Sequence, residues 1–482
     1  MLFNSSEYVL FFVAIVCLFF AFPHRWRWAL LLAGSYYFYM SWKPEFGILL
    51  AASTLIDYVA GRLIDAAQDP LRRRLLLAVS MAGNLGVLFA FKYLAFAAES
   101  ANMLLAAFGG SHSVPVYHLL LPVGISFYTF QTLSYTIDVY RRQIPAEKHL
   151  GLFALYVSFF PQLVAGPIER ATSLLPQFYV AHEFSFDRLR TGLQLILWGM
   201  FKKLVIADLA GITVDRVYAT PQSYPGPVLV LTTLFFAFQI YCDFSGYSDI
   251  AIGSARILGF NLMTNFRQPY FSRSIIEFWR QWHISLSTWI RDYLFFPLTS
   301  GHRSQARQMA AVVVVFVVCG LWHGAAWKFV LWGLLHGICV AASIASQSFR
   351  DRASSLLGLD RIPTLRAALQ ICTCFLLVLV SWVFFRANNL SDAFYILSTS
   401  LQWGAPADLS RLELGLGRFQ MLILGWAIGI LLLVDFVQWK QPRLVWRLWD
   451  MPRLRWACYV SCFYSIVFFG VFDKTEFIYF QF

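Results

Sequence analysis

Charge is scarce in this 482-residue chain: 13% of residues are Asp, Glu, Lys or Arg, where a soluble chain carries about 25%. With hydrophobic residues at 59%, that scarcity excludes the string of soluble domains that length alone suggests. Signatures of soluble enzymes are missing too. There is no Gly-x-Ser-x-Gly elbow, no phosphate-binding loop, no His-Glu-x-x-His metal site and no His-x-x-x-Asp acyltransferase motif. The eight cysteines lack zinc-finger spacing and make no disulfide framework. Seven sit inside apolar runs and Cys242 ends one, so they read as small buried hydrophobes.

Acidic residues are outnumbered, 26 against 38 basic, for a net charge of +12. Binding to nucleic acid needs that charge gathered in one polar patch. Here it is scattered between apolar runs, as at Arg72–Arg74, Arg141–Arg142 and Lys202–Lys203. That is the pattern of loops held on the cytoplasmic side of a membrane, with steering of an anionic donor as a second use. No internal repeat is visible, which argues against a transporter built from inverted repeats.

What the chain has in plenty is apolar sequence. Stretches from Tyr8–Phe22 to Trp456–Phe472 approach the roughly 20 residues a span needs. They predict roughly ten to twelve transmembrane helices with re-entrant or interfacial helices between them. The fold class is an all-α polytopic integral membrane protein, one domain over residues 1–482. Glu7 stands where a signal peptide would be positive, so Tyr8–Phe22 reads as a retained first span. His24, Arg25 and Arg27 after it put the N-terminus outside. Arg62–Arg74 and Ser346–Arg366 read as polar loops.

Two stretches suit simple spans poorly. Along Phe271–Leu298, Phe278, Trp282, Leu286, Trp289 and Tyr293 recur at helical spacing, opposite Arg280, Gln281, Ser285, Thr288, Arg291 and Asp292. This predicts one amphipathic helix lying at an interface or dipping in from it. In Leu121–Thr136, Pro122, Gly124, Ser126, Gln131 and Ser134 interrupt aromatics, as in a broken helix lining a cavity. Both imply an interior reached by water.

Histidine carries the chemistry. His323 lies in Gly-Leu-Trp-His-Gly at Gly320–Gly324, inside the nearly uncharged Met309–Val340. An ionisable group is costly there and marks a functional site by default. Trp322 and Trp327 would wall the imidazole and favour its neutral form, the form a general base needs. His283, in Phe-Trp-Arg-Gln-Trp-His, lies far enough before His323 for the chain to return to the same depth. Periodicity puts it beside Trp279, Leu286 and Ile290. A hydrogen bond to water or Ser287 is the structural alternative. His336 stands about 20 Å from His323 if one helix continues through both, which makes it structural. His24, His112, His118, His149, His182 and His302 read as loop or interface residues. In Tyr241–Gly253, Asp243 pairs with Tyr247 and Ser245 with Asp249 at helical spacing. Helix-end capping and hydrogen-bonded lining of the cavity is the reading for this run, with direct substrate contact as the alternative.

Together these blocks resemble the membrane-bound O-acyltransferase family. The matching runs are Ser134–Arg141, Val164–Arg170, Tyr241–Gly253, Phe278–Leu298, Gly320–Gly337 and Phe477–Phe482. Arg280-Gln281 departs from the two basic residues expected before Trp282. The resemblance implies a ring of tilted helices around a central cavity, with His323 and His283 as catalytic residues. It implies a substrate or cavity-lining role for Trp322, Trp327, Trp282, Asp243, Ser245, Tyr247, Asp249, Arg141, Arg170 and Arg291. It further implies a bacterial inner-membrane enzyme with no tightly bound cofactor and no metal. The expected donor is acetyl-CoA, or an acyl carrier, and the acceptor an exported polysaccharide, first of all alginate, reached through a periplasmic partner. Cellulose, peptidoglycan and D-alanyl transfer to teichoic acid are alternatives within the family. A non-enzymatic exporter is the alternative outside it.

Overall fold

The computed structural model describes every residue except 111–112, 165, 302–303, 403–413, 442–449, 473–476 and 479–482. His112, His302 and most of the Phe477–Phe482 run therefore lie outside the described residues. All regular elements among those described are helical. An apolar run without water must close its backbone hydrogen bonds within the segment, and a helix does so. Among the described residues, seven helices are long and apolar enough to cross a membrane: Glu45–Ala66, Pro70–Ala107, Gly226–Leu258, Gln305–His323, Trp327–Ala345, Pro363–Arg386 and Arg418–Lys440. Ser6–Ala21 is apolar but shorter. The chain is a multi-pass membrane protein. Ten to twelve spans were expected from the count of apolar runs, and several of those runs fold as shorter helices: His24–Met40 has 17 residues, Ile125–Tyr140 has 16 and Leu150–Ser158 has 9.

The chain forms two compact units. The first comprises Met1–Ile196 and Ser248–Met263. Its core is clasped by a buried carboxylate. Asp57 accepts from Ser80 Oγ at 2.6 Å, Asn84 Nδ2 at 2.9 Å and Thr136 Oγ1 at 3.1 Å. These bonds join helices Glu45–Ala66, Pro70–Leu88 and Ile125–Tyr140. The expected loop Arg62–Arg74 is mostly helix, with only Ala67–Asp69 between two helical ends. Arg73 is buried rather than solvated. Its guanidinium donates to the carbonyls of Ile64 (2.6 Å) and Tyr140 (2.8 Å), satisfying two helix C-termini that otherwise lack donors. Leu121–Thr136 is also unlike its forecast. Gly124, at φ +78°, starts an intact helix, Ile125–Tyr140, whose residues are nearly all buried in protein.

Outside the spans, Glu169 is 2% exposed and Oε1 accepts from Met263 N–H at 2.6 Å. Burial pushes its carboxyl up to about 7, against the pull of that bond and of Arg170.

The second unit comprises Leu197–Tyr247 and Thr264–Phe482. Its centre is a tight hairpin of helices Gln305–His323 and Trp327–Ala345. Glycine lets the two backbones meet: a Cβ on Gly320 would collide with the Phe329 carbonyl oxygen, and one on Gly333 with that of Phe316. Small residues serve membrane helix pairs in this way, by allowing van der Waals contact along the backbone.

Lys202 and Lys203 do not form a cytoplasmic loop. They lie in a π-helical turn, Phe201–Ala207, and are 4% and 1% exposed. Lys203 Nζ bridges Asp208 (2.8 Å) and Asp243 (2.7 Å), and Lys202 Nζ donates to Ser245 Oγ at 2.9 Å. A buried cation survives only when paired in this way. The Ser346–Arg366 stretch contains helix Gln347–Leu356, and Arg366 pairs with Asp360 and Asp351.

Candidate active site

The hairpin decides where the chemistry sits. The first helix ends at His323, and Gly324, Ala325 and Ala326 turn the chain back before Trp327. His323 is 4% exposed and lies among rings: its centroid is 5.0 Å from Trp322, 5.0 Å from Trp332 and 5.4 Å from Phe385.

His283 does not lie on one amphipathic helix. The expected helix Phe271–Leu298 is broken into Ile275–Gln281 and Ile284–Ile290, with Trp282 and His283 between them, and then a π turn at Arg291–Phe295. His283 has φ +44°, a left-handed conformation that costs a non-glycine residue roughly 1–2 kcal/mol. The neighbouring segment Asn265–Arg267 holds the break. Ile284 N–H donates to Asn265 O at 2.9 Å, and Arg267 N–H donates to Gln281 O at 3.0 Å. Nor is the segment interfacial, for Phe278 and Trp282 are each 1% exposed and His283 is fully buried.

These two departures bring the motif histidines together. The Trp322 indole lies 6.1 Å from the His283 ring and 5.0 Å from the His323 ring. Phe244 closes the other side of His283 at 4.6 Å. Phe477 backs Phe244 at 5.6 Å and Tyr247 at 4.7 Å, so the end of the chain supports the pocket.

Hydrogen bonds orient the second histidine. Ser285 Oγ donates to Asn265 Oδ1 at 2.7 Å, and Ser285 N–H donates to the same oxygen at 3.3 Å. Ser285 Oγ also stands 3.5 Å from His283 Nδ1. Ser287, the sequence alternative, instead donates to Trp282 O.

His336 is nearer to the centre than a continuous helix would put it. The turn at Gly324–Ala326 folds it back, so that Trp332 touches both His323 at 5.0 Å and His336 at 4.7 Å. His336 Nδ1 accepts from Trp279 Nε1 at 3.2 Å. Trp382 adds to this wall, 6.1 Å from Trp332 and 5.1 Å from Trp282.

The remaining candidates separate. Trp282 belongs to the aromatic wall, whereas Trp327 is 49% exposed. Asp243 and Ser245 do not cap a helix end; they sit within helix Gly226–Leu258. There Asp243 takes Lys203 and also accepts from Ile478 N–H at 2.7 Å. Tyr247 lies over the Lys203 ammonium at 5.4 Å. Arg291 is exposed and paired with Asp292 at 2.8 Å. Arg141, Arg170 and Asp249 belong to the first unit. Among the described residues, no group of three His, Cys, Asp or Glu side chains is placed to hold a metal ion.

Sequence reasoning missed Asn265, Phe244, Trp332, Trp382 and Phe385. Asn265 alone carried a local signal: an amide in the polar run Asn-Phe-Arg-Gln-Pro-Tyr, shortly before the aromatic block.

Comparison with known proteins adds a family context to this geometry. The family model MBOAT, membrane-bound O-acyltransferase family, matches residues 146–384. The chain is 39% identical over 435 residues to the probable alginate O-acetylase of Azotobacter vinelandii, covering 89% of this chain and 84% of that one. It is 33% identical over 406 residues to the peptidoglycan O-acetyltransferase of Helicobacter pylori, covering 78% and 73%. A teichoic acid D-alanyltransferase of Streptococcus thermophilus is 28% identical over 296 residues, covering 58% and 71%.

Proposed function

The chain belongs to the membrane-bound O-acyltransferase family, and from that premise we propose that it transfers an acetyl group from cytoplasmic acetyl-CoA toward an exported polysaccharide. The observation that carries this reading is the contact of both His283 and His323 with the one Trp322 indole. A passive exporter has no use for two imidazoles enclosed in one dry aromatic pocket.

His323 acts as general base. It takes the proton of an acceptor hydroxyl, whose oxygen attacks the thioester carbonyl. The tetrahedral intermediate collapses, the carbon–sulfur bond breaks, and the departing thiolate recovers the proton from His323. Ester and thiol are the products, and the histidine returns to its starting state. Trp322, Trp332 and Phe385 exclude water, which limits hydrolysis of the thioester. The enzyme sits in the bacterial inner membrane and passes the acetyl group to a periplasmic partner that completes O-acetylation. Alginate is the acceptor favoured by the relatives named alginate O-acetylase; peptidoglycan is the second reading, favoured by the Helicobacter relative.

The test is acetyl content of the exported polysaccharide in cells lacking the native enzyme and carrying either this chain or His323→Ala. Acetylation restored by the first and absent with the second is expected. Equal acetylation with both would refute the role given to His323.

A further inference from the structure

We infer that Asn265 and Ser285 are positioning residues that hold His283 with its proton on Nδ1, leaving the lone pair of Nε2 as the ring's acceptor. The inference rests on the acyl-transfer reading for its use, but its chemistry follows from the bonds themselves. A serine hydroxyl has one proton to give. Ser285 gives it to Asn265 Oδ1 at 2.7 Å, because that oxygen cannot donate. The same oxygen takes Ser285 N–H at 3.3 Å, so the oxygen of the Asn265 amide, rather than its nitrogen, faces Ser285. Toward His283 Nδ1, 3.5 Å away, Ser285 Oγ is then only an acceptor. The imidazole must be the donor, and a neutral imidazole that donates through Nδ1 accepts through Nε2.

The backbone is built to the same end. His283 is left-handed, and the bond from Ile284 N–H to Asn265 O fixes the turn at that point. Asn265 therefore grips the residues after His283 by its main chain and its side chain together. Ser285 and His283 are both fully buried, and Asn265 is 1% exposed, so water does not compete for these bonds. The weak contact of 3.5 Å is the last link, and it suffices to choose between tautomers because the alternative places two lone pairs face to face.

The assignment divides the work of the pocket. A ring that accepts through Nε2 can take a hydrogen bond or a proton from the acceptor hydroxyl. It cannot donate to the thioester carbonyl. His283 is thereby a second proton acceptor beside His323, and any stabilisation of the oxyanion must come from other groups.

Two measurements test this. The first needs no substrate: nitrogen-15 solid-state NMR of histidine-labelled protein in lipid at neutral pH, with His283 assigned by loss of its signals in His283→Gln. A protonated Nδ1 and bare Nε2 are expected, changing to protonated Nε2 in Ser285→Ala. A protonated Nε2 in the wild type would overturn the inference. The second is turnover of acetyl-CoA by purified wild type, Asn265→Asp and Asn265→Leu in nanodiscs with the periplasmic acceptor fraction added. Asp keeps the accepting oxygen, so kcat within about threefold of wild type is expected. Asn265→Leu should lower kcat about 10–100-fold with KM for acetyl-CoA within twofold. Equal kcat in Leu and wild type would also overturn it. Should the wild type turn over no acetyl-CoA, the acyl-transfer reading fails, while the NMR result still decides the tautomer.

Discussion

Replacing Lys203 by Met should destabilise the second unit rather than merely weaken substrate binding. Lys203 Nζ lies 2.8 Å from Asp208 and 2.7 Å from Asp243, and the three side chains are 6% exposed or less. Methionine fills a similar volume but removes the cation that bridges the two carboxylates. Breaking a buried ion pair at one end costs about 3–5 kcal/mol, because the other end stays buried and charged. Asp243 Oδ2 would still accept from Ile478 N–H, so part of its bonding survives. The expected loss is therefore near the lower end, about 3 kcal/mol. Thermal unfolding in detergent, followed by tryptophan fluorescence, measures it. The triple variant Lys203→Met, Asp208→Asn, Asp243→Asn should recover most of the loss, since it removes the two carboxylates together with the cation that bridges them. A Tm for Lys203→Met equal to wild type, or a triple variant no better than the single, would refute this account and return Lys203 to a solvated, donor-steering role.

Other expectations follow from the same geometry. Burial raises the pKa of Glu169 to about 7 from the ordinary value near 4.5. The folded state thus holds a proton that the unfolded state has lost, and stability is full below about pH 4.5 and falls as pH rises through 7. Glu169→Gln should flatten that slope and raise Tm above wild type at pH 8; an unchanged slope would contradict the assignment. Gly320→Ala sets a methyl against the Phe329 carbonyl oxygen. It should force the hairpin apart at a cost of about 1–3 kcal/mol and reduce acyl transfer at least tenfold, measured by Tm and thioester turnover together. Trp279→Phe keeps an aromatic ring at the site but removes the indole N–H that donates to His336, with part of the ring's packed surface. It should cost about 1 kcal/mol and change kcat less than fivefold, as befits a group one indole away from His323.

The helical, membrane-embedded character was written in composition, and the two histidines that meet at Trp322 stood out in their Trp-His blocks. What was not legible depended on partners distant in sequence. Nothing local marks the break at Trp282–His283, which has neither glycine nor proline; the bonds from Asn265 and Arg267 impose it. Side-chain periodicity therefore ran straight through a turn. Lys202–Lys203 and Arg73 look like loop charges because their partners, Asp243, Ser245 and the carbonyls of Ile64 and Tyr140, come from other helices. His336 was placed too far away because a continuous helix was assumed across Gly324–Ala326, where the chain reverses. In each case local pattern gave the residue type correctly and tertiary bonding decided its position.

Release of coenzyme A from radiolabelled acetyl-CoA, by purified wild type and His323→Ala in nanodiscs with the periplasmic acceptor fraction added, tests the central claim most directly. The account predicts turnover by wild type and none above background by the variant, at equal Tm. Turnover retained in His323→Ala, or none in the wild type while a carrier-bound donor is consumed, would contradict it.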